Sequence, residues 1–299
     1  MWVLSLLTVM ALALTQVQRT EGALTANQLD SARFRAQANA VMSVVALNLL
    51  STPPSTFEEQ ALVWVPDGQP RLFQLDGEEF LVTLSNEASK LNLNEATREQ
   101  LVALIEVVQG EESQDELLRD QLADAILDWR DENDLALLNG AEDADYEAEG
   151  LSYGARDGPF RSLEELRQVL GMSRYLYERL VPYLTIEETE GEVNEAFASA
   201  PVLVAVNGYL LDQAQTIVEE RSQGLFGEDS EGQLAPLDRG GPRYHLRITQ
   251  RRLGDRGPTT DAMIRIEPGG QDAFEVLWQR FGSTAGAAAP AGFLTTRAQ

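Results

Sequence analysis

The order of apolar and polar positions divides the chain into stretches of different period. Met1 to Val17, MWVLSLLTVMALALTQV, is almost continuously apolar. Phe34, Ala38, Val41, Val45 and Leu49 then recur at helical spacing, and Met42, Ala46 and Leu50 widen the stripe. That period predicts one long helix ending at Ser51-Thr52-Pro53-Pro54. Alternation follows. Ala61 to Val65, Arg71 to Leu75 and Glu79 to Leu84 read as strands, separated by Pro66-Asp67-Gly68 and by Asp76-Gly77, the latter a two-residue hairpin turn.

The period then returns to helical. Thr97-x-x-Gln100 is a capping box before Leu101, Leu104, Ile105 and Val108, with Gly110 as the stop. Ser113-x-x-Glu116 opens a second helix carrying Leu118, Leu122, Ile126 and Trp129, and Ser162-x-x-Glu165 opens a third before Gly171. A fourth runs from Ser173 to about Leu184. Alternation resumes in Arg243 to Leu253, Asp261 to Glu267 and Phe274 to Phe281, which read as three strands sharing one sheet with the early ones. The single His245 lies in the first of these as a surface strand residue. Asn94-Glu95-Ala96 recurs as Asn194-Glu195-Ala196, each copy before an apolar helix, which has the look of paired helix–hairpin–helix units.

The Met1 to Val17 run would form a helix roughly 25 Å long, against about 30 Å of bilayer hydrocarbon. A retained membrane anchor and a cleaved signal peptide both fit it. No basic residue precedes it, however, and the helical pattern continues beyond it, which favours the anchor.

Composition narrows the partners. The 299 residues carry a formal net charge of -25, and Lys90 is the only lysine. Such a surface repels phosphate backbones and anionic headgroups and attracts divalent cations and basic protein patches. With no cysteine, thiol catalysis and disulfides are excluded. The hairpin units could grip nucleic acid, but no basic cluster accompanies them, so packing or protein contact fits better than DNA binding.

The densest chemistry lies in Asp128-Trp129-Arg130-Asp131-Glu132-Asn133-Asp134 and Asn139-Gly140-Ala141-Glu142-Asp143. Hard oxygen donors at close spacing suit Ca²⁺. From Asp131, Asn133 and Glu142 take the third and twelfth places of an EF-hand loop, but Leu135 and Ala136 break the match at the fifth and sixth. A calcium loop of another design and a solvated acidic loop both remain consistent with these residues. A two-carboxylate hydrolase has no motif beyond the abundance of acids, since the sequence contains 48 Asp and Glu.

The stretches WVLSLLTVMALAL, LNLNEAT, AILDWRDEND with NGAEDADY, PFRSLEELRQVLGM with PYLTI, VNEAFASAPVLVAV and EVLWQRFG resemble, in place and order, the minor pseudopilin K family of type II secretion. The resemblance implies an α+β, pilin-like fold: a long N-terminal helix on an antiparallel sheet, with a large all-helical domain inserted between strands. The expected division is 1–18 transmembrane helix, 19–52 periplasmic helix, 53–87 first strands, 88–240 inserted acidic domain with helix–hairpin–helix-like units, 241–283 closing strands and 284–299 disordered tail. It also implies a non-enzymatic inner-membrane protein with its globular part in the periplasm. Minor pseudopilins I and J, other pseudopilus subunits and the inner membrane would be its partners, and nucleic acid would not. Family members bind calcium in the inserted domain. This carries over to Asp131 and Glu142, and more loosely to Asp128, Asn133, Asp134 and Asp143; Asn133 stands where the family often has an acid. The family's basic leader and its cleavage site are expected to lie outside this sequence. A membrane-tethered DNA-uptake receptor is the alternative.

Overall fold

The computed structural model describes residues 2–51, 64–110, 116–187, 192–224, 239–251, 257–268, 273–283 and 294–295. The chain forms two compact units. One comprises Met1–Ser51, Pro70–Thr83 and Leu246–Gln299, the other Thr52–Gln69 and Leu84–His245.

In the first unit, helix α1 spans Trp2–Leu50. The stripe read from the sequence is buried at Phe34, Ala38, Val41, Met42, Val45, Ala46 and Leu49, while Leu50 at the helix end is half-buried. Each large side chain removed from water contributes roughly 1.5–3 kcal/mol. The sheet offers Val82, Leu246, Ile248, Ile264 and Ile266 as buried positions of its own. Phe34 meets Phe281 edge-on at 6.3 Å, and Gln279 donates its amide to Asn39 Oδ1 at 3.0 Å.

The sheet contains β1 (Asp67–Leu75), β2 (Glu78–Asn86), β5 (Arg243–Gln250), β6 (Pro258–Ile266), β7 (Phe274–Ser283) and the two-residue β8 (Leu294–Thr295). Its order is β7-β6-β5-β2-β1-β8, so the closing strands lie in one sheet with the early hairpin. β6 and β7 run antiparallel, with a bulge between Met263 and Ile264, whereas β8 runs parallel to β1. Asp76 and Gly77, with φ of 52° and 79°, make the tight turn expected between β1 and β2.

Some local expectations need correction. Asp67 and Gly68 begin β1 instead of forming a turn that separates two strands, because pairing runs on until Asn86 N–H reaches the Pro66 carbonyl at 3.1 Å. Trp64 and Val65 are outside any strand, and residues 61–63 fall outside the described set. Leu163–Gln168 is a 3₁₀ turn that Ser162 does not cap. Its Glu165 carboxylate is held instead by Arg156 Nη1 at 2.9 Å and by Arg161 N–H at 3.3 Å. Of the 284–299 tail, only Leu294 and Thr295 are described. Among the described residues no helix is long and apolar enough to cross a membrane.

The second unit is mainly helical: α2 (Arg98–Gln109), α3 (Glu116–Arg130), α4 (Asp143–Ala148), α5 (Arg174–Leu180), α6 (Ala200–Asn207) and α7 (Leu211–Gly224). The Thr97 capping box and the Gly110 stop both form. Leu91–Asn92 (β3) pairs in parallel with Leu184–Thr185 (β4). Beside them the buried Glu87 carboxylate takes the Lys90 ammonium and the Thr185 hydroxyl, the latter at 2.6 Å. One core gathers Leu93, Leu101, Leu104, Ile126, Trp129 and Tyr146; a smaller one gathers Ala198, Val202, Leu203 and Ala214.

Two helical hairpins share a plan. Arg130, ending α3, donates to the carbonyls of Leu93 and Ala96 just before α2. Arg221, late in α7, donates to those of Glu195 and Ala198 just before α6. Asn92 Oδ1 accepts Asn94 N–H and Asn194 Oδ1 accepts Ala196 N–H, both at 3.0 Å. The internal repeat is therefore structural, but Asn194 is the counterpart of Asn92. The shared Asn-Glu-Ala tripeptide is offset by two residues from the true equivalence.

Candidate metal centre

The acidic segment begins on the last turn of α3 because that helix is amphipathic. Leu122, Ile126 and Trp129 are buried, and Asp124 and Asp128 are drawn in with them. Trp129 stacks on Phe160 at 6.2 Å and leans on Tyr146 at 5.9 Å, so the helix end sits on a rigid aromatic base.

Each buried acid holds the loop that follows. Asp128 accepts Leu137 N–H at 3.1 Å. Asp124 accepts both the Asn139 backbone N–H at 3.3 Å and its side-chain amide at 3.2 Å, while also pairing with Arg98. Gly140 is required by this closeness, since a Cβ there would lie 1.8 Å from Asp128 Oδ2. Asp131 Oδ1 takes Asn133 N–H at 3.1 Å and Asn133 Oδ1 takes Leu135 N–H at 3.0 Å. Glu142 N–H donates to Asp145 Oδ2 at 3.0 Å at the start of α4.

Burial and neighbouring carboxylates raise Glu142 and Asp128 in this segment. Burial raises Glu142 to about 7, and the charges of Asp128, Asp131, Asp157 and Asp134 push in the same direction. Burial lifts Asp128 to about 6 against the lowering effect of its backbone hydrogen bonds, with Asp131 and Asp124 adding to the rise. Asp157, although exposed, is also raised, first by desolvation and then by Asp143, Asp134 and Asp131.

Asp128, Asp131 and Asp134 thus act on Glu142 as one electrostatic neighbourhood. Asp143 turns toward Gly154, where a Cβ would lie 1.7 Å from its Oδ1. Asn133 is exposed, with its side-chain oxygen already accepting a loop N–H. Asp157 was missed by sequence reasoning. It lies fifteen residues beyond Glu142 and adopts a left-handed φ of 53°; the Arg156-Asp157-Gly158 run was the only local hint.

Among the described residues no three acidic or histidine side chains stand converged on a point that would hold a metal. The donor set nevertheless fits a hard cation. Its members are oxygens of like charge, and buried Glu142 Oε1 has no hydrogen-bond partner.

Among the described residues the hairpins offer no comparable anion site. Arg130 and Arg221 are half-buried, have pKa values lowered by desolvation, and are occupied by carbonyls. Neither is free to meet a phosphate.

A family model described as type II secretion system (T2SS), protein K, matches residues 81–188, which include the whole acidic loop and Asp157. The type II secretion system protein K of Klebsiella pneumoniae is 31% identical over 235 residues, covering 73% of this chain and 70% of that protein. Its Pseudomonas aeruginosa counterpart is 30% identical over 197 residues, covering 60% and 59%. The Aeromonas hydrophila protein K is 40% identical over 100 residues, covering 33% of this chain and 27% of that one. Among solved structures, the crystal structure of the GspK-GspI-GspJ complex from the type 2 secretion system of enterotoxigenic Escherichia coli shares the fold. The match has a TM-score of 0.58 and 21% identity, covering 89% of this chain and 100% of that chain.

Proposed function

This chain belongs to the type II secretion system protein K family, and from that premise we propose that it is a minor pseudopilin at the tip of the periplasmic pseudopilus. In this reading it assembles with minor pseudopilins I and J to prime and cap the fibre, and it has no enzymatic role. The supporting observation is the architecture: a long striped helix and one sheet whose β2 and β5 are neighbours, with an acidic helical unit inserted between those two strands in sequence. The complex named for the structural neighbour supplies the partners of this proposal.

In this reading the first 18 residues hold the subunit in the inner membrane before extraction. The side of α1 away from the buried stripe then packs on I and J. Val44 and Leu47 lie exposed there, three residues apart on one face. The test is co-expression with tagged I and J. The unaltered chain should co-elute with both, and V44D/L47D should be lost from the complex while keeping its own melting curve. Equal retention of the variant would remove α1 from the interface.

The inserted unit is proposed to bind calcium. Asp131, Asp134, Glu142 and Asp157 would hold it, with Asp128 and Asn133 shaping the loop from below and Asp143 at its margin. The cation would neutralise the carboxylates and tie the loop to the Asp157 segment. The two hairpins read as helix–hairpin–helix units used for packing. A DNA-uptake role has no support in them, because their arginines are consumed internally.

A further inference from the structure

The acidic loop has a second character. Leu135, Leu137 and Leu138 within it are 78%, 41% and 95% exposed. Exposed apolar side chains are common on floppy loops, but this one is pinned on both flanks. Asn133 holds Leu135 N–H, buried Asp128 holds Leu137 N–H, and buried Asp124 holds Asn139 twice. The fold fixes the backbone and leaves the leucines in water. A rigid apolar ridge loses little conformational freedom when it docks.

The ridge lies between exposed carboxylates that are not among the residues proposed to hold calcium, Glu132 before it and Asp143, Asp145 and Glu147 after it. That frame selects the occupant by charge. An anionic bilayer is repelled, and a second copy would bring the same carboxylates together on chains of net charge -25. We propose that Leu135–Leu138 is a docking ridge for another protein whose surface presents an apolar pocket rimmed by lysine or arginine. Burying the leucines would supply the affinity at the centre, and the carboxylates would supply steering and specificity at the rim. The proposal is independent of the contacts that α1 makes in assembly, so either can fail alone.

The probe is a fluorescently labelled amphipathic helix of leucine and lysine, titrated by anisotropy against the full chain in detergent with calcium present. The L135S/L138S variant keeps every charge, and its binding should weaken by at least about tenfold. L117S, which removes a 60%-exposed leucine elsewhere on α3, should leave affinity unchanged. L138S alone, at the most exposed position, should weaken binding about threefold, which keeps the test open if the double variant misfolds. Equal binding by the wild type and both ridge variants would overturn the proposal, as would equal weakening by L117S. The same chains are also assayed on phosphatidylglycerol vesicles, where α1 contributes equally to all of them. Loss of vesicle binding in L135S/L138S with unchanged peptide binding would make the ridge a lipid contact and would equally overturn it.

Discussion

The hairpin of Arg98–Arg130 and the hairpin of Ala200–Gly224 are closed by the same device and loaded differently. In each, an arginine from the second helix caps two carbonyls that precede the first helix, and an asparagine side chain turns the chain into that helix. The difference lies two residues on. Asn94 bonds Phe160 in both directions, accepting its N–H at 2.7 Å and donating to its carbonyl at 3.1 Å. The counterpart of Asn94 is Ala196, which has no side chain capable of either bond. One asparagine thus ties the segment carrying Asp157 to the first hairpin. A common scaffold becomes a candidate metal centre through a side chain outside the acidic run.

The sharpest way to break the comparison is to remove the clamps. Arg130→Ala leaves buried carbonyls in the larger core without donors and should cost about 2–4 kcal/mol in urea unfolding. Arg221→Ala, where the bond to Glu195 is solvent-exposed, should cost about 1–2 kcal/mol. Equal losses would mean that the two hairpins carry similar loads.

The second effect separates the hairpins by chemistry. Chelating calcium should lower the melting temperature by roughly 5 °C or more, and E142A should abolish that sensitivity. The sign of the pH dependence follows from Glu142 at about 7 and Asp128 at about 6, both above their ordinary values of 4.5 and 3.8. The folded state binds these protons more tightly than the unfolded chain does. The metal-free protein is therefore relatively stabilised in acid, and that contribution is lost as pH rises through the two folded values. Calcium should thus stabilise strongly at pH 8 and little at pH 5, as read by paired thermal melts. A calcium effect that grows toward acid would contradict this account. The smallest effect is expected from D157N, which should weaken calcium binding by a few-fold, measured by titration calorimetry, and leave both hairpins folded.

Much of this molecule was legible where the signal is periodic or local. The buried stripe from Phe34 to Leu49, the Thr97 capping box and the Asp76-Gly77 turn each follow from residues within a few positions of one another. Acids from Asp128 to Glu142 were also legible, because they lie close together in sequence. The clamps and Asn94 were not, because their hydrogen-bond partners lie 23 to 66 residues away, and Asp157, fifteen residues beyond Glu142, was not because nothing local marks the pairing. The repeated tripeptide misled by two residues for a similar reason. Chemical identity picked out Asn94 and Asn194, while the backbone equivalence runs from Asn92 to Asn194. Gly68 shows the opposite limit, since a local turn signal yielded to cross-strand pairing that reaches Pro66.

The assignment as a tip pseudopilin is tested most directly by mass. The full chain, mixed in detergent with its cognate minor pseudopilins I and J, is passed through size exclusion with light scattering. The account predicts one species containing one copy of each protein. Elution of this chain at its own mass, while I and J pair without it, would contradict it.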